Sequence, residues 1–208
     1  GMFPPEGRDQ KRMEAFLRVQ KVWKSVISRY PDRLLPVRSS EEMERCFREK
    51  KTGLLLTIED GGVCGQELSN VQKVFDLGVR LITLTWNYEN AFGIPNGNEG
   101  GLKPLGIEAV EEMNRLGILV DVSHLSDDGF WDVQKHSKRP FLASHSNARA
   151  VTGHQRNLTD DMIRAVAQAG GVIGLNFAPA FLGGEEESRV SDMVRHVLHI
   201  REKGGAEV

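Results

Sequence analysis

The spacing of apolar residues predicts helices in the first fifty residues. Between residues 10 and 30, apolar side chains recur three and four positions apart, which is typical of an amphipathic helix. They are Met13, Phe16, Leu17, Trp23, Val26, Ile27 and Tyr30. Residues Ser39 to Glu42 then have the pattern of a capping box, which predicts the start of a second, short helix.

From residue 53 onward, short continuous apolar runs alternate with helical patterns. The runs, which we interpret as strands, are 53–59, 79–86, 118–123, 140–145 and 172–177. The helical patterns are 66–78, 104–117, 127–137, 159–171 and 187–203. Strands without strict polar alternation, separated by helices, are typical of a parallel sheet covered by helices.

This rhythm predicts one α/β domain over residues 1–208. Its parts are N-terminal helices at 10–50, βα units at 53–182 and a C-terminal helix at 187–203. A doubly wound sheet and a (β/α)8 barrel both fit, because periodicity does not separate them.

Composition narrows the classes of partner. The formal net charge is −2, with 27 basic and 29 acidic residues interspersed along 208 residues, so we expect neither nucleic acid nor an anionic membrane as partner. The sequence has no apolar run of bilayer-spanning length and no signal-peptide core at its N-terminus. The two cysteines, Cys46 and Cys64, lack a C-x-x-C spacing, which favours buried free thiols and a reducing, cytoplasmic location.

The predicted strands end on residues that carry chemistry. These are Glu59, Trp86, His124, His145 and Asn176, in strand order. Since the carboxyl ends of parallel strands meet at one rim, these side chains are expected to converge. Two imidazoles and a carboxylate are ligands for zinc or a related divalent ion, which supports hydrolytic chemistry. Taken singly, each histidine also fits a hydrogen-bonded structural role, and Glu59 fits a cap of the next turn.

Alternation along the strands predicts which way these side chains point. His124 has the parity of Val120 and Val122, and His145 has the parity of Phe141 and Ala143, so each is expected to point to the same side as the core residues of its strand. Asp121 and Ser123 have the opposite parity to His124 and are expected to orient loops. The remaining histidines fall in helical patterns or a loop: we expect His136, His196 and His199 at the surface, and leave His154 unassigned.

Arg156 lies between the strand 140–145 and the helix that starts at Thr159, which places it on the same rim. An arginine there can bind a carboxylate through two parallel hydrogen bonds. The alternative is a solvated loop arginine.

Six segments resemble, in order, those of the membrane (renal) dipeptidases, which are zinc peptidases of the M19 type. The segments are LLLTIEDGG, LGVRLITLT, GLKPLGIEAVEEMNRLGILVDVSHLS, FLASHSNARAV, RNLTDDMI and GGVIGLNF, and the resemblance runs from about residue 50 to 182. The resemblance implies a (β/α)8 barrel of the metal-dependent hydrolase type. It also implies two zinc ions and hydrolysis of dipeptides by a metal-bound hydroxide.

The resemblance also implies roles for individual residues. Glu59 matches a carboxylate that bridges the two metals, and His124 and His145 match the histidine ligands of one metal. Arg156 matches the arginine that binds the substrate carboxylate. Trp86 stands where animal members have a substrate-contacting histidine, so Trp86 and the strand-end Asn176 are further substrate-binding candidates.

Two departures from the family pattern change the expectation. No histidine is followed two residues later by aspartate, and the late aspartate ligand is absent. We therefore expect a partial barrel lacking the first and last strands, with open edges at 53–58 and 172–177. We expect at most one metal ion, impaired peptidase activity in this chain alone, and a homo-oligomer or partner chain that completes the strands.

Two other functions remain open from the sequence. One is a non-catalytic subunit whose strand edges recruit a partner. The other is a different metal-dependent amide or ester hydrolase, such as a deacetylase or phosphotriesterase.

Overall fold

The computed structural model describes residues 8–184 and 187–208 and contains one parallel sheet. Its strands are β1 (Leu34–Val37), β2 (Thr52–Glu59), β3 (Val79–Thr83), β4 (Leu119–Asp121) and β5 (Phe141–Leu142). Their spatial order equals their sequence order. A doubly wound sheet reverses its strand order at a switch point, whereas a barrel does not. The alternative left open by the sequence is thereby resolved in favour of part of a barrel.

Helices connect and cover the strands. They are α1 (Arg8–Arg29), α2 (Ser40–Glu49), α3 (Ser69–Asp76), α4 (Pro104–Leu116), α5 (Asp127–His136), α6 (Asp160–Gln168), α7 (Pro179–Leu182) and α8 (Val190–Gly204). A short 3-10 helix, Gly61–Cys64, follows β2. The predicted cap at Ser39 is confirmed, because its hydroxyl accepts a hydrogen bond from the Glu42 amide at 3.3 Å.

Strand β1 was missed by the sequence analysis. The segment LLPV is only four residues long and contains Pro36, which argues against a strand in pattern reading. The structure pairs it in parallel with β2, with Leu34 opposite Thr52. A proline is tolerated at a sheet edge, where its missing amide is not needed. The prediction of an open edge at 53–58 was therefore wrong, because β1 covers that edge.

The strand predicted at 172–177 is much shorter than expected. Ile173 alone forms a parallel bridge, to Ala143, and the amide of Gly174 donates to the Ala143 carbonyl at 2.8 Å. A Cβ at position 174 would collide with the Ser144 carbonyl, so the two backbones lie in close contact there. The segment continues the arc of parallel strands for one position beyond β5.

The two faces of the sheet are covered differently. On the outer face, Leu56 and Val120 are buried against the helices, in a core that includes Val71, Val110 and Met113. Their sequence neighbours Leu55 and Leu119 point to the inner face and are each 41% exposed. Strands that are apolar on both sides explain the continuous apolar runs, although the inner-face leucines at 55 and 119 stay exposed within the described residues.

Two further observations concern the cysteines and the apolar character of the helices. Cys46 and Cys64 are both buried and free, as predicted, and burial raises the pKa of the Cys64 thiol to about 12. None of the described helices combines the length and apolar character needed to cross a bilayer.

Candidate metal centre

Three of the strand-end residues converge on one point at the carboxyl rim of the sheet. His124 Nε2 lies 2.8 Å from His145 Nε2, and Glu59 Oε1 lies 3.1 Å from the first and 3.4 Å from the second. Of the five strand-end residues predicted to converge, these three do so. His124 is buried, His145 is half-buried and Glu59 is exposed, so the cluster faces solvent from one side.

The parity argument was wrong for both histidines. His145 contacts Glu59, although Phe141, which has the same parity, pairs with Val120 on the outer face. Glu59 pairs with Thr83, which pairs with Asp121, so these three side chains share the inner face of the sheet. His124 contacts Glu59 and therefore also lies on the inner side, opposite to Val120. The cause is its backbone, because His124 has φ = 70° and leaves the extended alternation of the strand.

The tautomer of His124 is set by the loop that follows β3. Its Nδ1 lies 3.0 Å from the side-chain oxygen of Asn87, which can only accept a hydrogen bond. Nδ1 therefore carries the proton, and Nε2 presents its lone pair to the cluster. Sequence reasoning assigned no role to Asn87.

The tautomer of His145 is set by a chain of side chains beneath it. Ser144 Oγ donates to Asp121 Oδ2 at 2.6 Å and lies 2.6 Å from His145 Nδ1. Since a hydroxyl has one hydrogen and Asp121 takes it, His145 Nδ1 must donate to Ser144. The Nε2 of His145 therefore also presents a lone pair to the cluster.

Asp121 is the centre of this support. It is fully buried, and its Oδ1 accepts the amides of Ser123 and Ser144 at 3.0 and 2.9 Å. Its Oδ2 accepts the hydroxyl of Thr83 at 2.6 Å as well as that of Ser144. Sequence reasoning missed Thr83 and Ser144. The available signal was that polar residues interrupt otherwise apolar strands near their carboxyl ends.

Electrostatics keep both imidazoles neutral. Burial, with a further contribution from the charge of Arg156, lowers the pKa of His124 to about 3. Burial also lowers the pKa of His145. With neither ring protonated at neutral pH, three lone-pair atoms face one another with no proton between them.

That donor set fits a cation. Two histidine nitrogens and one carboxylate oxygen suit zinc or a similar divalent ion. Atoms at ~2 Å from a tetrahedral ion are separated by roughly 3.3 Å, and the three observed separations are 2.8, 3.1 and 3.4 Å. The cluster is thus near the geometry that a metal ion would require.

Arg156 lies beside the cluster and is buried, so the alternative of a solvated loop arginine was wrong. It is 6% exposed, its Nη2 donates to the His145 carbonyl at 3.3 Å, and its Nη1 lies 3.5 Å from Ser146 Oγ. Within the described part of the chain, no carboxylate forms an ion pair with it. Burial lowers its pKa to about 10. The charges of Asp121 and Glu59 partly offset this effect, but neither carboxylate touches the guanidinium. A buried cation that no carboxylate of the described residues contacts leaves a place for an anionic ligand group.

The other two substrate-binding candidates, Trp86 and Asn176, differ in their position relative to the cluster. The Trp86 ring lies 6.3 Å from the His124 ring and 5.8 Å from Tyr88, and both aromatic residues are partly exposed. They form an aromatic wall next to the cluster. Asn176 instead uses its side-chain oxygen to accept the Ala178 amide at 2.9 Å, just before α7.

The remaining histidines are structural or peripheral. His196 was expected at the surface, but it is fully buried and its Nδ1 accepts the Ala148 amide at 3.1 Å. His136 and His199 are half-buried. The unassigned His154 accepts the Arg156 amide at 3.0 Å, so it holds the loop that carries Arg156.

An arc of parallel strands with a His–His–Glu cluster at its carboxyl rim is typical of the metal-dependent barrels of the hydrolase type. Within that class, the chain belongs to the membrane dipeptidase family (peptidase family M19), whose sequence profile matches residues 2–208. The resemblance drawn from the six segments is thereby confirmed.

Known proteins resemble the chain in sequence and in fold. It is 34% identical over 193 residues to the Klebsiella pneumoniae "Uncharacterized protein in pqqA 5'region", covering 86% of this chain and 70% of that one. The M19 metallopeptidase dipeptidase AC superposes with a TM-score of 0.91 at 29% identity, covering 99% of this chain and 62% of that chain. A Rhodobacter sphaeroides metallopeptidase, solved with a phosphinate mimic of the dipeptide L-Ala-D-Ala, superposes with a TM-score of 0.82 at 31% identity, covering 90% and 56%. The chain therefore spans less than two thirds of the length of these two solved chains.

Proposed function

We propose that the chain is the metal-binding part of a metal-dependent dipeptidase, with zinc held by Glu59, His124 and His145. The observation that carries this proposal is the convergence of two neutral imidazole nitrogens and one carboxylate oxygen within 4.8 Å of one another. Both Nδ1 atoms are occupied by other partners, so the two Nε2 lone pairs are available to a metal ion. Membership of the M19 family supports the same reaction.

The surrounding residues fit a substrate of dipeptide size. Bound zinc would polarise the scissile carbonyl and lower the pKa of water. Arg156 would bind the C-terminal carboxylate of the substrate, because its buried guanidinium contacts no carboxylate of the described residues and lies against the His145 carbonyl. Trp86 would line the cluster next to His124. Asn176 would contribute indirectly to substrate binding, because its side chain orders the start of α7 through the Ala178 amide.

We propose one metal ion for this chain rather than two. Three protein ligands and one water complete a tetrahedral catalytic zinc site, as in other enzymes with three protein ligands. The sequence contains no His-x-Asp pair to hold a second ion. Peptide turnover by this chain alone is expected to be weak for that reason.

Metal content tests this proposal directly. Protein purified without added metal is then incubated with zinc, desalted and measured by elemental analysis. The wild type is expected to retain about one equivalent, and the double variant His124→Ala/His145→Ala essentially none, because each ligand lost removes a coordinate bond. The matched control is His136→Ala/His199→Ala, which removes two histidines outside the cluster and is expected to retain the ion. Zinc retention that is unchanged by the loss of His124 and His145 would contradict the proposal.

We also propose that further chain segments cover the inner face of the sheet, either from a second copy or from a partner. Leu55 and Leu119 are exposed there, and β1 presents an edge strand. The expected result is self-association that increases with concentration when the purified chain is measured by light scattering. A particle that stays monomeric at every concentration contradicts association with a second copy and leaves the partner as the remaining form.

A reducing compartment fits the thiols. Cys46 and Cys64 are buried and unpaired, and the pKa of Cys64 is raised, so neither serves as a disulfide partner. We propose a cytoplasmic location on this basis.

A further inference from the structure

The backbone turn directly after Glu59 has an unusual conformation. Asp60 has φ = 90° and ψ = 94°, a region that residues other than glycine rarely adopt. Such a conformation costs free energy and persists only where surrounding contacts hold it. The side chain of Asp60 supplies those contacts.

The Asp60 carboxylate joins three parts of the structure. Its Oδ1 accepts the Gly62 amide at 2.9 Å and the side-chain amide of Asn90 at 2.8 Å. Its Oδ2 pairs with Arg12 of α1 at 2.9 Å, and the two side chains are only 15% and 12% exposed. Asn90 also donates to the Leu84 carbonyl, just past the end of β3, at 2.8 Å. The turn is thus fixed to α1 and to the neighbouring strand.

The two glycines after Asp60 make the turn fit closely. A Cβ on Gly61 would lie 2.5 Å from the Phe92 ring and 2.9 Å from the Leu84 carbonyl, and one on Gly62 would collide with Arg12. The sequence Asp-Gly-Gly therefore lets the backbone lie directly against its surroundings. A turn packed in this way has little freedom to shift.

Glu59 itself has few contacts of its own. Its side chain is 53% exposed, and in the described residues the partners of its carboxylate are the imidazoles of His124 and His145. No other side chain or backbone amide among those residues holds it in place. The position of the carboxylate is consequently set by the backbone at residues 59 and 60.

We propose that Asp60 is a positioning residue for the metal ligand Glu59, acting through the left-handed turn that its carboxylate and Arg12 hold in place. This inference rests on the metal site of the proposed function. Residues that orient metal ligands change metal affinity by about 10–100-fold when they are replaced. Asp60 is expected to belong to that group although it does not touch the ion.

The alternative is that the ion pair of Asp60 and Arg12 has a purely structural role and only attaches α1 to the sheet. Gln20 provides the matched control for that role, because it also attaches α1 through a buried hydrogen bond to the Leu77 carbonyl at 3.0 Å, away from Glu59. The variants are Asp60→Ala, Asp60→Asn and Gln20→Ala. Each is compared with the wild type for zinc affinity, by competition with a chromophoric chelator, and for the midpoint of thermal unfolding without metal.

Asp60→Ala is expected to weaken zinc binding at least about 10-fold. Asp60→Asn keeps one acceptor oxygen for the Gly62 amide and is expected to weaken it less, which also provides a variant if the alanine protein does not fold. Gln20→Ala is expected to lower the unfolding midpoint while leaving zinc affinity at the wild-type value. Equal zinc affinities in all four proteins, or equal losses for Gln20→Ala and Asp60→Ala, would overturn the positioning role. A wild type that binds no zinc would overturn the proposed metal site itself, and the positioning role with it.

Discussion

Replacing Arg156 with methionine is expected to weaken dipeptide binding at least about 100-fold while leaving the chain as stable as the wild type or more stable. The guanidinium is 6% exposed and has no carboxylate partner in the described residues, so burying it costs free energy that a ligand carboxylate would offset. Methionine is unbranched and fills similar space without a charge. Binding of L-Ala-D-Ala to the zinc-loaded chain is measured by calorimetry, and stability by urea unfolding.

Two controls make this prediction specific. The first control is L-Ala-D-Ala amide, in which the C-terminal carboxylate is replaced by an uncharged amide. The wild type should bind this amide more weakly than the free acid, whereas Arg156→Met should bind the two equally. Arg149 is the matched arginine, because it already has a partner: its Nη1 and Nη2 lie 2.6 and 2.7 Å from the carboxylate of Asp127. Arg149→Met is expected to lose about 1 kcal/mol of stability and to keep its preference for the free acid. An Arg156→Met protein that still prefers the free acid would contradict carboxylate binding by Arg156.

The layers of the fold could be predicted from the sequence, but its edges could not. Long apolar runs separated by amphipathic helices indicate a parallel sheet, because both faces of such strands are apolar. Strand β1 was not predicted because its pairing with β2 depends on tertiary contact. Pro36 also argues against a strand in the local sequence. The segment around Ile173 was overestimated for the opposite reason, since apolar composition alone does not reveal that only one residue forms a bridge.

At the site, the rule that strand ends converge located the three cluster residues correctly. It could not give the direction of each side chain, because His124 adopts φ = 70° and no residue type in the sequence indicates this. The burial of Arg156 could not be predicted from the sequence either, because it depends on how its loop folds against the strand that ends near His145. Asp121 was visible as a polar residue in an apolar strand, but its role required knowing that Ser144 lies beside it.

Replacing Asp121 with asparagine is expected to move the proton of His145 and so weaken zinc binding about 10–100-fold. The amides of Ser123 and Ser144 both donate to Oδ1, which forces the asparagine oxygen to that position and places its NH2 group where Oδ2 was. The Ser144 hydroxyl then accepts a hydrogen bond from this group and donates its own hydrogen to His145 Nδ1. The imidazole proton is left on Nε2, the atom that faces Glu59 and His124, where it blocks coordination.

The tautomer can be measured without any metal, which separates this effect from a general loss of structure. In 15N-labelled, zinc-free protein, the His145 ring nitrogens should show protonation at Nδ1 in the wild type and at Nε2 in Asp121→Asn. Thr83→Val is the control, because it removes a hydrogen bond of 2.6 Å to the same Asp121 oxygen but leaves the path from Ser144 to His145 intact. It is expected to cost about 1 kcal/mol of stability with no change of tautomer. If His145 keeps its Nδ1 proton in Asp121→Asn, then Asp121 has only a structural role. The chain of hydrogen bonds from Asp121 through Ser144 would then not determine the tautomer of His145.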